Sequence, residues 1–116
     1  MTTTTATTFT ILHVEGLELD QLADIATHGC AAGVNGFIYS SELAMTYNQF
    51  ENEIWDYLDE QAAQLGEKNG FRMVIDIIEA KQDTWTMQEV KEKAVWIYVE
   101  QKAYDLCIEH EHPDFV

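Results

Sequence analysis

The first 67 residues of this chain contain no lysine and no arginine, although they carry eleven acidic residues. All six basic residues lie between Lys68 and Lys102, where further acids are mixed with them. Like charges repel one another in a compact state, so this acidic half does not favour folding by itself. The same charge repels nucleic acid and attracts basic surfaces. Charge is therefore the main indication of function in this sequence.

The composition nevertheless predicts a folded protein. Hydrophobic residues make up 47% of the 116 residues, which is too many for a disordered acidic chain and enough for one core. The length predicts one domain. We expect a flexible threonine-rich arm at residues 1–8, a single globular acidic domain at 9–112 and a tail at 113–116.

The net charge and the cysteines indicate where such a protein works. A formal net charge of −15 argues against direct binding to nucleic acid or to an anionic membrane, whose phosphates require Lys and Arg. No secretory signal and no transmembrane segment is apparent in the sequence. We therefore expect a cytoplasmic protein in which Cys30 and Cys107 are free thiols, unless the fold brings them together as a disulfide.

The N-terminal part of the sequence predicts one strand and one helix. Residues 9–14 are rich in strand formers and predict either a short strand or an extended segment laid on the core. Residues 18–27 have apolar side chains at helical spacing, and we expect this helix to end at His28 and Gly29. The glycines of residues 29–36 predict a turn region.

Residues 48–65 are the clearest helix in the sequence, because they carry one apolar stripe at helical spacing. Residues 41–47 form either a short preceding helix or the beginning of the same one. Gly66 is expected to end it. The members of the stripe are Phe50, Ile54, Tyr57, Leu58, Ala62 and Leu65.

The C-terminal half of the sequence predicts further helices. Residues 71–80 favour a helix, although the same apolar run also fits a buried strand. Thr86 and Glu89 have the spacing of a capping box, which predicts a helix from there to about Ile108. Residues 94–99 are apolar on all sides and predict a central position for that helix. The patterns together predict a mainly α fold of three to five helices, with a short N-terminal β-strand as the α+β alternative.

Two segments resemble a known group of proteins. The segment HGCAAGVNGFIY at residues 28–39, followed by EIWDYL at 53–58, is similar to a family of small uncharacterised acidic proteins encoded by bacteriophages. The resemblance covers residues 17–108. The family has no assigned function, so the resemblance implies no catalytic residue. It implies a viral origin, and small acidic phage proteins often antagonise host defences.

Acidic residues lie on the side of the predicted helix at 48–65 that faces away from the apolar stripe. Steps of three to four residues advance roughly 4.5–6 Å along a helix axis. This is comparable to the phosphate spacing along a nucleic-acid strand, which is about 6–7 Å. Such carboxylates could occupy a groove that binds phosphates, and the alternative is a solvated helix face. The candidates are Glu53, Asp56, Asp59 and Glu60, with Glu51 nearer the stripe, and Glu18, Asp20 and Asp24 as a second patch.

The tryptophans are the other candidates for a binding surface. Trp96 lies in the all-apolar segment and is expected in the core. Trp55 and Trp85 lie at the borders of apolar regions, so either could be partly exposed. An exposed tryptophan rimmed by acids is typical of a binding hot spot, and Trp55 therefore joins the candidate binding residues. The alternative is a position at the edge of the core.

Metal and nucleophile chemistry have weaker support. Cys107, His110 and His112 lack a second spaced pair of ligands, so we interpret this segment as a solvated tail. Because His28 and Cys30 are near one another only in sequence, a structural turn is the better interpretation. The segment GCAAGVNG lacks the lysine and hydroxyl of a phosphate-binding loop. We predict no metal, no cofactor and no enzymatic activity.

These observations favour a non-enzymatic phage inhibitor, an anti-CRISPR or anti-restriction DNA mimic. It would bind a basic nucleic-acid-binding protein, either a CRISPR effector or a restriction enzyme, in the host cytoplasm. The alternative is a self-associating structural or adaptor protein, for example a homodimer, whose acids only provide solubility. A small metal-dependent enzyme is a third hypothesis.

Overall fold

The computed structural model describes residues 8–12, 14–28 and 43–115. Within these ranges the chain forms four helices and a two-stranded antiparallel sheet near the N-terminus, which confirms the predicted mainly α fold. Over the same ranges, no helix has both the length and the apolar character needed to cross a membrane. The elements are β1 (Phe9–Ile11), β2 (Val14–Leu17), α1 (Leu19–His28), α2 (Leu43–Gln64), α3 (Gly70–Glu79) and α4 (Met87–Glu109).

The chain divides into two compact units. Unit 1 comprises Met1–Ile38 and Val99–Val116, and unit 2 comprises Tyr39–Tyr98. Helix α4 therefore contributes residues to both units. The domain boundaries predicted from the sequence stay predictions. The predicted arm, apart from Thr8, and the turn at 29–36 lie outside the described residues.

The hairpin of unit 1 contains one strand that the sequence predicted and one that it did not. Strand β1 lies within the predicted segment, and Ile11 pairs with Val14 of β2 across the turn. Leu12 in the turn has a φ of 56°, a left-handed conformation that is uncommon for a leucine. Strand β2 contains Gly16 with a φ of 72°, and glycine is a weak strand former. Its short sequence therefore carried no strand pattern.

Helix α1 lies within one residue of its predicted position. It begins after Glu18, whose backbone N–H donates to Gln21 Oε1 at 2.8 Å. Leu22 and Ile25 are fully buried, so both lie in the buried face of the helix. The other buried apolar residues of unit 1 are Ile11, Leu17, Ala23, Val99, Ala103 and Cys107.

Helix α2 of unit 2 begins at Leu43, earlier than the predicted helix. Residues 43–47 are therefore helical, as both alternatives for residues 41–47 expected. The helix continues through Phe50, but the backbone there is not helical (φ −122°, ψ 23°), so the helix has a kink at this residue. Ile54 and Leu58 are completely buried, as the stripe predicts. Leu65 is 72% exposed, so its place in the stripe was wrong.

The end of α2 follows the glycine rule that the sequence predicted. Gly66 has a φ of 79°, a conformation that glycine adopts without steric cost. Its N–H donates to Ala63 O at 3.3 Å, and the Glu67 N–H donates to Ala62 O at 2.9 Å. These two bonds form a Schellman motif, which satisfies carbonyls that the helix would otherwise leave unpaired.

Helix α3 packs against α2 at very short range. A Cβ added to Gly70 would lie 2.8 Å from Leu58 Cβ and 2.9 Å from the Leu58 carbonyl carbon. Asn69 caps the helix, because its side chain accepts the Arg72 N–H at 2.8 Å. The helical interpretation of residues 71–80 is confirmed. The buried face comprises Gly70, Met73, Val74, Ile75 and Ile78.

Helix α4 begins with the predicted capping box. The Glu89 N–H donates to Thr86 Oγ1, and the Thr86 hydroxyl donates to Glu89 Oε1, each at 3.2 Å. Gln82 also donates to Glu89, and this hydrogen bond is the main cause that lowers the pKa of Glu89. Trp96 is half-buried, with Lys93 Nζ 5.4 Å from the ring centroid, so its predicted core position was wrong.

We expect the substitution Gly70→Ala to lower the free energy of unfolding by about 1–3 kcal/mol, because the new methyl group overlaps the backbone of α2. Urea denaturation measures the difference. Lys68→Ala, an exposed position in the same loop, is the control and should change stability by less than about 0.5 kcal/mol. Equal stability of the Gly70→Ala protein and the parent would contradict the close packing of α2 on α3.

Candidate functional site

The acidic residues of α2 form an exposed face. The helix contains five acids and no base, and Glu51, Glu53, Asp56, Asp59 and Glu60 are all exposed. The spacing of these acids places most of them opposite the buried stripe of Ile54, Leu58 and Ala62. We call Glu51, Glu53, Asp56, Asp59 and Glu60 the acidic face.

Asp59 differs from the other members of the acidic face, because its carboxylate forms a hydrogen bond with the backbone of α3. Its Oδ1 accepts the Gly70 N–H at 2.7 Å, at the first residue of α3. A carboxylate at this place satisfies a free helical N–H and interacts favourably with the positive end of the helix dipole. Asp59 is therefore a structural residue as well as an exposed acid. Its partner is eleven residues away in the sequence, so no local sequence pattern predicted the contact.

Glu53 is electrostatically coupled to a buried tyrosine. Burial raises the pKa of Tyr98 to about 12, and the negative charge of Glu53 adds to this effect. The Tyr98 ring also contacts Tyr57 of α2, with 5.0 Å between the ring centroids. The charge of Glu53 therefore acts on the interior of unit 2 as well as on the solvent.

Trp55 belongs to a row of four aromatic side chains in unit 2. Its Nε1–H donates to the Tyr47 hydroxyl at 2.8 Å. Its ring centroid lies 6.3 Å from Tyr47 and 6.0 Å from Phe71, and Phe71 lies 6.3 Å from Trp85. Tyr47 is buried, Trp55 and Trp85 are half-buried, and Phe71 is 39% exposed. We call Tyr47, Trp55, Phe71 and Trp85 the aromatic row.

The second predicted patch lies in unit 1, and only part of it is available to a partner. Glu18, Asp20 and Asp24 are exposed near the start of α1. The Oδ1 atom of Asp20, however, lies 3.0 Å from Nε2 of His112. Asp20 therefore already binds a residue of its own chain, which the sequence did not indicate, because 92 residues separate the two.

His112 is buried, so its interpretation as part of a solvated tail was wrong. Its exposure is 6%, and its Nδ1 accepts the Asp114 N–H at 3.1 Å. With Nδ1 acting as an acceptor, the proton of a neutral imidazole lies on Nε2 and is donated to Asp20. The Phe115 ring contacts both His112 and Tyr104, at centroid distances of 5.7 and 5.5 Å. These contacts join the last described residues to α4 within unit 1.

The described part of the chain contains neither a candidate metal site nor an exposed thiol. No group of three or more His, Cys, Asp or Glu side chains in that part is arranged to hold a metal ion. Cys107 is free and buried, and burial raises the pKa of its thiol, which reduces the reactive thiolate. The pairing of His28 with Cys30 lies outside the described side chains.

Fold and surface together define a small, mainly helical protein that carries an acidic face on one helix. The chain belongs to the family described as Domain of unknown function (DUF7222), whose model matches residues 17–112. No match was found among curated proteins or among solved structures. The family description assigns no activity, so the function is argued from the acidic face and the aromatic row.

We expect Asp59→Ala to lower the free energy of unfolding by about 1 kcal/mol, because the Gly70 N–H loses its capping acceptor. Asp56→Ala, on the same helix, should change it by less than about 0.5 kcal/mol. Urea denaturation of both variants measures the two values. Equal effects of the two substitutions would show that the bond between Asp59 and Gly70 adds nothing to stability.

We expect alkaline pH to destabilise the protein through Tyr98. The native tyrosine keeps its proton to about pH 12, whereas an unfolded tyrosine loses it near pH 10. The contribution of Tyr98 to the free energy of unfolding is therefore fully present below about pH 10. It is lost between about pH 10 and pH 12, where only the unfolded state gains by losing the proton. Tyr98→Phe should reduce this loss by on the order of 2 kcal/mol. Urea denaturation at stepwise pH measures it, with Tyr104→Phe as the exposed control. An unchanged pH profile in the Tyr98→Phe protein would contradict the raised pKa.

Proposed function

We propose that this protein is a non-enzymatic inhibitor of bacteriophage origin that binds a basic nucleic-acid-binding protein. The acidic face of α2 takes the place of nucleic-acid phosphates on that partner. The partner is a CRISPR effector or a restriction enzyme in the host cytoplasm. The observation that carries this proposal is the exposure of five acids on one helix that contains no base.

The spacing of the acidic face supports mimicry of a nucleic-acid backbone. Glu53, Asp56 and Glu60 follow one another at three and four residues, which corresponds to steps of roughly 4.5 and 6 Å along the axis. Arginines and lysines that bind successive phosphates could therefore meet successive carboxylates. Asp59 shares its charge with the start of α3, and Glu51 lies nearer the buried stripe, so Glu53, Asp56 and Glu60 are the main contributors.

The energetic cost of the acidic face also supports a function. Asp56 and Glu60 are like charges at i, i+4, a pairing that destabilises a helix by about 0.2–0.5 kcal/mol. Burial of Ile54 and Leu58 on the other side stabilises the helix by about 1.5–3 kcal/mol for each side chain. The helix therefore folds despite its acids rather than because of them. A solvated face of mixed charges would serve solubility without this repulsion.

Electrostatics also decides how the complex would form. A chain with a net charge of −15 attracts a basic groove over distances up to about a Debye length, which is near 10 Å at 0.1 M salt. Opposite charges accelerate association and make it strongly dependent on ionic strength. The same net charge disfavours binding of the protein itself to DNA or RNA.

A second candidate function is self-association. Tyr104 and Ile108 lie at i, i+4 on α4 in unit 1, and they are 45% and 42% exposed. An apolar pair of this kind could join two copies of the chain, in which case the acids provide only solubility. Size-exclusion chromatography at low and high salt separates the hypotheses, because an apolar dimer resists salt.

We expect charge reversal on the acidic face to abolish inhibition without unfolding the protein. The test variant carries Glu53→Lys, Asp56→Lys and Glu60→Lys, and it leaves Asp59 in place on Gly70. The matched control carries Glu15→Lys, Asp83→Lys and Glu109→Lys, three exposed acids outside α2 that give the same change in net charge. Displacement of labelled duplex DNA from a captured nucleic-acid-binding partner measures inhibition, and thermal melting measures folding.

The two variants separate the mechanisms. Loss of at least about tenfold in displacement by the test variant alone, which is about 1.4 kcal/mol, supports the proposal. Equal displacement by both variants and the parent shows that the face only solvates the helix and favours self-association. Equal losses in both variants show that net charge alone drives binding, which contradicts a specific role of α2.

A further inference from the structure

The aromatic row leaves large apolar rings at the surface of unit 2. Phe71 lies on α3, whose neighbouring residues Met73 and Val74 are buried, yet 39% of Phe71 is exposed. Trp85 lies in the connection between α3 and α4 and is half-buried beside it. The two rings meet edge to face at an interplanar angle of 83°. This part of the row is therefore partly accessible at the surface and does not lie wholly in the core.

One carboxylate is hydrogen-bonded to the aromatic row, and a second lies near the start of α3. Glu79 Oε2 accepts the Trp85 Nε1–H at 3.2 Å. Asp59 follows Trp55 at i, i+4 on α2 and binds the N–H of Gly70, the residue before Phe71. Both acids are exposed. Partly exposed aromatic rings and carboxylates therefore lie near one another on unit 2.

One cation of the protein already contacts the aromatic row. Lys91 Nζ lies 5.4 Å from the centroid of the Tyr47 ring, at the buried end of the row. Arg72, the residue after Phe71, pairs instead with Asp76 on α3 at 3.2 Å. A cation–π contact thus exists at one end of the row, and the single arginine of the sequence pairs with Asp76.

We propose that the exposed part of the aromatic row, Phe71 with Trp85, binds arginine side chains of a basic protein partner. This inference rests on the proposed function, because that function supplies the basic partner. The guanidinium stacks on a ring and donates hydrogen bonds to Glu79. Arginine suits this surface better than lysine, because its planar group is weakly hydrated, stacks on aromatic rings and bonds a carboxylate with two N–H groups.

The test compares two peptide probes of equal length and charge, an oligo-arginine and an oligo-lysine, by isothermal titration calorimetry against the full chain at low salt. We expect the arginine peptide to bind about tenfold more tightly than the lysine peptide. Phe71→Leu keeps an apolar side chain and removes the ring, so it should weaken arginine binding at least about threefold and lysine binding by a smaller factor. Tyr104→Leu, an exposed aromatic residue outside the row, is the matched control and should change neither affinity.

The outcomes distinguish this inference from the function on which it rests. If neither peptide binds the parent protein, the proposed function fails and the inference fails with it. If both bind equally, or if Phe71→Leu leaves the preference for arginine intact, only the role of the aromatic row is overturned. Thermal melting checks the folding of Phe71→Leu. Should that variant unfold, Trp85→Leu, which lies outside the helices, decides the same question by the same comparison.

Discussion

The structure of unit 2 depends on one close approach between α2 and α3. Gly70 lies so near the backbone of Leu58 that no side chain fits between the helices. Leu58 is completely buried, and Asp59, the next residue, binds the first N–H of α3. Two consecutive residues of α2 therefore set both the distance of α3 and the position at which it begins. Phe71 follows directly, so the same contact also places the exposed ring of the aromatic row.

This contact explains how a helix without bases can both pack in unit 2 and expose an acidic face. The buried stripe of α2 stabilises the helix by several kcal/mol, whereas repulsion among its acids costs about 0.2–0.5 kcal/mol for each pair. Asp59 reduces that repulsion, because its carboxylate interacts with the positive end of the α3 dipole. The acids at the other positions can therefore face solvent without loss of the fold. Packing and charge are carried by opposite sides of one element.

Local sequence patterns predicted most of the helices, but they predicted fewer of the contacts made by surface residues. Helical periodicity, the capping box and the terminal glycine predicted the long helices, because each signal lies within a few neighbouring residues. The kink at Phe50 and the strand around Gly16 have no such pattern. The acids of α2 were identified as candidates because the helix lacks bases and because their helical spacing places most of them away from the apolar stripe. The roles of Asp59 and His112 were not, since each depends on a partner that only the tertiary fold brings near.

The two units differ in how their chain segments are arranged, and this has a consequence for synthesis on the ribosome. Unit 2 is one continuous stretch, whereas unit 1 joins residues before 39 to residues after 98, as the bond from Asp20 to His112 shows. Chains emerge from the N-terminus, and contacts of long sequence separation form late because their loops must first close. Unit 2 can therefore complete its helices while α1 and the hairpin still wait for their C-terminal partners. The apolar side of α1, with Leu22 and Ile25, stays unburied until those C-terminal residues are in place.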